Sequence, residues 1–228
     1  MIKSLEFKNR KYLLENKMKY AKLDNKYKRR SHNIFKEILE KYAKDVNPKI
    51  LDVGCASGIL GKIRQSPNNI FGIEFNEDLA KLAKENCEKV YEINLNSFSA
   101  KMIEEKNFDF IFLGDVLEHV LNPEKVLEEV IKLLSENGLI IVSLPNIAQL
   151  QFRLKLLLGI FDYTETGVMD KTHLHFYTYK TAINLIKKNN LSIINIYPSG
   201  TLISFIKIFP KLIAPQFIFV CKKLKNTY

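Results

Sequence analysis

From residue 49 onward the chain alternates short apolar runs with longer runs in which apolar side chains recur every third or fourth position. Residues 49–53 (KILDV), 69–75 (NIFGIEF), 89–93 (KVYEI), 108–113 (FDFIFL) and 139–144 (LIIVSL) read as buried strands. Helices are predicted between them. One starts at 58–65. A second is capped by Asn76, with Glu77 and Asp78 in its first turn and Leu79, Leu82 and Ala83 on one face. A weak helix is expected up to residue 106. A further helix opens at Asn122-Pro123, buries Val126, Leu127, Val130, Ile131 and Leu134, and is expected to end at Gly138. Strands that are apolar on both faces and separated by helices imply a parallel sheet covered on both sides. Right-handed crossovers then give a doubly wound α/β fold.

Ligands bind such sheets beyond the carboxyl ends of the strands, so the residues just after each strand carry the chemistry. After the first comes Asp52-Val53-Gly54-Cys55-Ala56-Ser57-Gly58. Small residues there let the backbone approach a ligand, and the next helix start offers unpaired N–H groups. A dinucleotide fingerprint needs glycine at 54, 56 and 59; the chain has Gly54, Ala56 and Ile59, so two of three fail. Gly58 instead makes a G-x-x-x-G bend suited to a nucleoside or amino-acid moiety. Glu74 lies twenty positions after Gly54, where a carboxylate can accept hydrogen bonds from both ribose hydroxyls; read alone, it is an ordinary acid at a strand end.

DVGCASG, GIEF, FDFIFLGDVLEHV and GLIIVSLPN together resemble a class I S-adenosylmethionine (SAM)-dependent methyltransferase over about residues 48–221. The resemblance implies a Rossmann-like seven-stranded sheet, mostly parallel with an antiparallel last strand. Residues 191–197 and 216–222 supply its final two strands. It assigns Asp52, Gly54, Cys55, Ala56, Ser57 and Gly58 to the methionine part of the cofactor and Glu74 to the ribose. Phe75 then lies against the adenine, and Asn94 and Leu95 lie at its edge. Gly114, Asp115 and Val116 flank the reactive methyl. Ala56 stands where many members have glycine, and Asn94 where many have an acid. LPN followed by DKTHLHFYT is similar to small-molecule methyltransferases of bacterial surface-glycan clusters. The acceptor this implies is a hydroxyl of a nucleotide- or lipid-linked sugar, with an RNA ribose or a quinone or phenol oxygen as the alternative.

A hydroxyl acceptor must lose a proton. Three of the four histidines, His119, His173 and His175, fall in the expected acceptor region. Alternation with Leu174 and Phe176 puts His173 and His175 on one side of an extended stretch. His173 is read as base or acceptor ligand with Asp170 as its orienter, and His119 as a catalytic or structural histidine near the methyl. Asp115, Glu118, His119 and His173 also resemble the divalent-metal pattern of plant small-RNA 2′-O-methyltransferases and some quinone O-methyltransferases; the primary expectation is no metal.

The remaining composition fits this picture. Of 228 residues, 46% are hydrophobic and 26% charged, which excludes wholesale disorder. Cys55, Cys87 and Cys221 form no C-x-x-C pair, which argues against a zinc knuckle or disulfide framework and for a reducing cytoplasm. No apolar run reaches the ~18 residues of a membrane span, and residues 1–17 lack a signal-peptide core. Residues 1–45 hold 14 basic and 6 acidic side chains, so +8 of the net +10 sits there, centred on Lys17, Lys19, Lys22, Lys26, Lys28, Arg29 and Arg30. They read as a basic helical arm before a catalytic domain at 46–228. No nucleic-acid module accompanies the charge, so a solvated helix is the simpler reading. Acceptor-side insertions are expected at 147–180, with a helix over 149–161 and Thr178 capping another through 188, and at 201–215. The latter, TLISFIKIFPKLIAP, is longer and more apolar than a hairpin needs; it reads as a cap, a homodimer surface or a peripheral membrane contact.

Overall fold

The structure, a computed structural model, describes residues 28–45, 47–200 and 203–224. In chain order these form α1 (Lys28–Tyr42), β1 (Ile50–Val53), α2 (Ile59–Arg64), β2 (Ile70–Ile73), α3 (Glu77–Ala83), β3 (Lys89–Tyr91), β4 (Phe108–Gly114) and α4 (Pro123–Ile131). There follow β5 (Leu134–Pro145), α5 (Leu150–Leu157), α6 (Tyr179–Lys188), β6 (Leu191–Ser199), α7 (Ile203–Ile208), α8 (Pro210–Ile213) and β7 (Gln216–Lys223). One seven-stranded sheet runs in the order β3-β2-β1-β4-β5-β7-β6. Strands β1 to β5 pair in parallel, and β7 runs antiparallel to both β5 and β6. The expected doubly wound sheet with an antiparallel last strand is the one found.

Successive strand residues point to opposite faces, and both faces are buried. Leu51, Ile111 and Leu113 pack towards α4 and α6, through Val126, Leu127, Val130 and Ile186. Ile50, Phe110 and Phe112 pack the other way, against Phe35, Ile38 and Leu39 of α1. The rings of Phe35 and Phe112 meet edge-on at 5.2 Å. The described part of the predicted basic arm is therefore a packed helix of the core, with the i, i+3, i+4 spacing that packing requires. Of its basic centre, Lys17, Lys19, Lys22 and Lys26 lie outside the described residues, and Lys28, Arg29 and Arg30 form the first turn of α1.

The predicted caps form. Asn76 Oδ1 accepts the N–H of Leu79 at 3.0 Å, and Asn122 Oδ1 accepts that of Lys125 at 3.0 Å. Thr178 and Thr181 make a reciprocal capping box at α6. Two expectations fail. The stretch expected to be helical up to 106 forms two 3-10 turns, Leu95–Ser97 and Ala100–Met102, capped by Asn94 and Ser99. Glu129 fastens the second turn by accepting the Ala100 N–H at 2.8 Å. The helix expected to end at Gly138 stops at Ile131, and Gly138 lies inside β5. There the register with β4 shifts, and a Cβ on Gly138 would stand 2.7 Å from the Phe108 carbonyl oxygen. This glycine permits a bulge rather than ending a helix.

Candidate active site

At the end of β1 the backbone turns through residues 54–58. Gly54 (φ 72°), Ala56 (φ 48°) and Gly58 (φ 73°) are all left-handed. A side chain on Gly54 would meet Val116 Cγ2 at 2.7 Å, so only glycine lets this bend close against the loop after β4. The N–H groups of Gly54 and Cys55 donate to the Ile73 carbonyl at the tip of β2. One residue on, Glu74 Oε2 accepts the Ala56 N–H at 3.0 Å, and its Oε1 accepts the Asn76 N–H at 2.8 Å. Each carboxylate oxygen retains a further lone pair for a ligand hydroxyl. A bend with close backbone access and an acid beside it fits the nucleoside and amino-acid ends of SAM.

The loop after β4 is built around Asp115, which is itself left-handed at φ 57°. Ser143 on β5 accepts the Asp115 N–H at 2.9 Å and donates its hydroxyl to Asp115 Oδ1 at 2.7 Å. Gln216 on β7 also donates to Oδ1, and its own oxygen accepts the Ser31 hydroxyl of α1 at 2.6 Å. Three elements, β5, β7 and, through Gln216, α1, thus hold one carboxylate. Ser143 is legible in sequence as the lone hydroxyl of the aliphatic run 139–144. Ser31 and Gln216 lie 185 positions apart and give no such signal.

Beyond this loop lie Glu118, His119 and His173. One ligand atom from each lies within 4.8 Å of the other two. Glu118 is 1% exposed, and its Oε2 is buried without a hydrogen-bond partner. Burial, then the charge of Asp115, raises its carboxyl well above the usual range. His119 Nδ1 lies 3.2 Å from the Thr172 carbonyl and 3.1 Å from its hydroxyl. The Thr172 hydroxyl donates to Asp170 Oδ1 at 2.7 Å, so the histidine supplies the proton of its own contact. His173 Nδ1 lies 3.0 Å from the Val168 carbonyl, which can only accept. Both imidazoles therefore keep Nε2 as a lone-pair atom. Their centroids are 4.7 Å apart. Burial, then His119, lowers the His173 pKa from the ordinary histidine value.

These features share one cleft of about 1730 Å³. A single small-molecule site occupies roughly 300–1,000 Å³, so a cofactor and an acceptor can lie together. Among the predicted residues, Gly54, Ala56, Glu74, Leu95, Gly114, Asp115, Val116, His119, Asp170 and His173 line it, as does Glu118. Asp52, Cys55, Ser57, Gly58, Phe75, Asn94 and His175 do not. The Cys55 thiol faces β2 and Cys87 instead, which with burial pushes its pKa up. Phe75 is 66% exposed. Asn94 Oδ1 is taken by the Asn96 N–H. His175 Nε2 donates to the Val120 carbonyl at 3.0 Å, separating it from the His119–His173 pair. Asp170 differs from expectation too: its carboxylate holds Thr172, the partner of His119, while His173 is oriented by Val168. Thr172 was missed because a lone threonine in a polar loop carries no pattern.

The sequence of residues 24–196 matches the family described as "Methyltransferase domain". An uncharacterized protein of Methanocaldococcus jannaschii is 32% identical over 91% of this chain and 87% of its own. A ubiquinone biosynthesis O-methyltransferase of Glaesserella parasuis is 31% identical over 43% of this chain and 45% of its own. A SAM-dependent methyltransferase of Clostridium acetobutylicum, solved as a crystal structure, superposes with a TM-score of 0.63 at 16% identity, over 95% of this chain and 99% of that one, and so shares its fold. Family, fold and the nucleoside-shaped bend agree: this chain belongs to the class I SAM-dependent methyltransferases, with S-adenosylmethionine as its cofactor.

Proposed function

We propose that the chain methylates a hydroxyl oxygen of a small acceptor with an apolar body, of the phenol or quinol class. The observation that carries this reading is the wall beside His119 and His173. There Phe152, Leu156, Ile160, Phe161, Val168 and Met169 line the acceptor half of the cleft. Such a wall suits a ring, while the two imidazoles meet its hydroxyl. The partial match to a ubiquinone biosynthesis O-methyltransferase supports the same class. Gly54, Ala56, Glu74 and Leu95 are the residues that would hold the cofactor. SAM supplies an electrophilic sulfonium methyl when bound. The protein's own tasks are to align the acceptor oxygen and take its proton. His173 Nε2 is suited to the second task, because burial keeps the imidazole neutral and ready to accept.

The sugar hydroxyl remains the competing acceptor, and Asp162, Thr164 and Glu165, which also line the cleft, are the polar groups it would use. Incubation with methyl-labelled SAM and a panel of a catechol, a hydroquinone, nucleotide sugars and RNA separates the classes. Label in the catechol or hydroquinone is expected; label in a nucleotide sugar or RNA alone overturns the reading.

A second reading rests on Glu118 Oε2. A buried carboxylate oxygen without a partner, beside two imidazoles with lone pairs, fits a divalent cation held by Glu118, His119 and His173. Asp115, expected as a fourth ligand, is held by Ser143 and Gln216 outside that triad. Bound there, a cation would polarise the acceptor oxygen. Activity unchanged by thorough chelation, with no gain on adding magnesium or manganese, removes this reading.

A further inference from the structure

Helix α5 contains no buried residue. Its Leu154 and Leu157, with Leu158 just beyond, point into solvent, and Leu157 is 81% exposed. The last residue of α7, Ile208, and the connecting Phe209 add exposed apolar surface. Between these two apolar edges lies a groove of about 460 Å³. Arg153, Lys180 and Lys211 line it, and no acidic residue does. No carboxylate among the described residues forms an ion pair with any of the three. Lys211 Nζ sits 4.8 Å from the centre of the Tyr179 ring, which holds it at the groove.

We propose that this face docks on an anionic phospholipid bilayer, with Leu154, Leu157, Leu158 and Phe209 below the headgroups and Arg153, Lys180 and Lys211 on the lipid phosphates. Apolar side chains beside cations that meet no carboxylate among the described residues match the boundary between acyl chains and anionic headgroups. A second copy of the chain is a poorer occupant, because a two-fold contact centred on the groove would oppose like charges. Closure over the cleft is a poorer account as well. Phe152, Leu156 and Ile160 of the same segment already line the cleft, while Leu154, Leu157 and Leu158 do not. The docked face is continuous with the acceptor half of the cleft through Leu156, Ile160 and Phe161. A lipid-soluble acceptor can therefore enter from the bilayer without crossing water. That last step rests on the phenol or quinol reading; the docking does not.

The test is sedimentation of the full chain with phosphatidylcholine vesicles, with and without phosphatidylglycerol. Binding is expected to need phosphatidylglycerol and to weaken with salt. The double variant Leu157→Glu, Leu158→Glu should lose about tenfold or more in vesicle affinity, as two apolar contacts become charged. Lys180→Glu with Lys211→Glu should abolish the preference for phosphatidylglycerol. Absence of sedimentation with either vesicle overturns the proposal. So does unchanged binding of the leucine variant, which would leave the basic arm as the contact. Conversion of a dimer to a monomer by that variant, without loss of vesicle binding, would assign the face to a second copy. SAM affinity of the same variants, read by calorimetry, should equal that of the parent; failure to bind SAM in every form would count against the methyltransferase assignment alone.

Discussion

Glu74 Oε2 accepts the Ala56 N–H at 3.0 Å, tying the tip of β2 to the bend after β1. The carboxylate proposed to hold the ribose therefore also supports the loop that would surround it. Glu74→Ala should weaken SAM binding by about tenfold or more, since a hydrogen bond to a charged group contributes roughly 1.5–3 kcal/mol. Calorimetry showing undiminished affinity would refute the role. Glu74→Gln should fall between the two, because its single amide oxygen can still accept from Ala56.

Gly54 answers to two separate constraints. Its φ of 72° strains any side chain, and a Cβ would press on Val116 Cγ2 at 2.7 Å. Gly54→Ala should destabilise the protein by about 1–3 kcal/mol in chemical denaturation. Adding Val116→Ala should recover only part of that loss, because it relieves the clash and leaves the backbone strain.

Much of this was legible in the sequence. Continuous apolar runs marked strands buried on both faces, and asparagine or threonine before amphipathic runs marked the caps of α3, α4 and α6. The pairing of Glu74 with the 54–58 bend followed from one rule about where doubly wound sheets bind ligands. Gly138 was ambiguous because glycine serves helix ends and strand bulges alike; the close Phe108 carbonyl, thirty positions away, decided between them. Asp170 was misassigned for a similar reason. Proximity in sequence pointed it at His173, while the turn it caps aims its carboxylate at Thr172.

Glu118 should make the protein less stable as pH rises. Burial raises its folded-state pKa above the ordinary glutamate value of about 4.5, so the folded protein keeps a proton that the unfolded chain releases. Stability then falls as pH climbs from about 4.5 through the folded value. Glu118→Gln, measured without divalent cations, should raise Tm near neutral pH by roughly 2–4 °C for each kcal/mol of charge burial relieved. The gain should vanish as pH falls towards 4.5. A gain independent of pH would mean that the carboxylate is not the cause.

His173→Ala should lower kcat by about 10²–10⁴-fold, the usual contribution of a positioned base, and leave SAM affinity intact. In the parent, the acid limb of the pH profile of kcat should fall below the ordinary histidine value of about 6.5, because burial and His119 disfavour the imidazolium. A limb at or above that value would assign the proton to another group.

Thr172 stands between Asp170 and His119, and each contact depends on the other. Its hydroxyl gives its one proton to Asp170 Oδ1 at 2.7 Å, so its oxygen can only accept from His119 Nδ1 at 3.1 Å. This arrangement fixes the His119 tautomer and turns Nε2 towards the cleft. Thr172→Val keeps the shape and removes the hydroxyl, leaving the Thr172 carbonyl, 3.2 Å from Nδ1, as the remaining partner. The loss should be partial, about tenfold in kcat at unchanged SAM affinity, as for one neutral hydrogen bond. Thr172→Ser should restore activity, because serine keeps the same donor and acceptor. Asp170→Ala removes the acceptor of the Thr172 hydroxyl and should resemble Thr172→Val, and the double variant should be little worse than either alone, since both act through one imidazole. Additive losses would show that Asp170 acts on the acceptor by a route of its own.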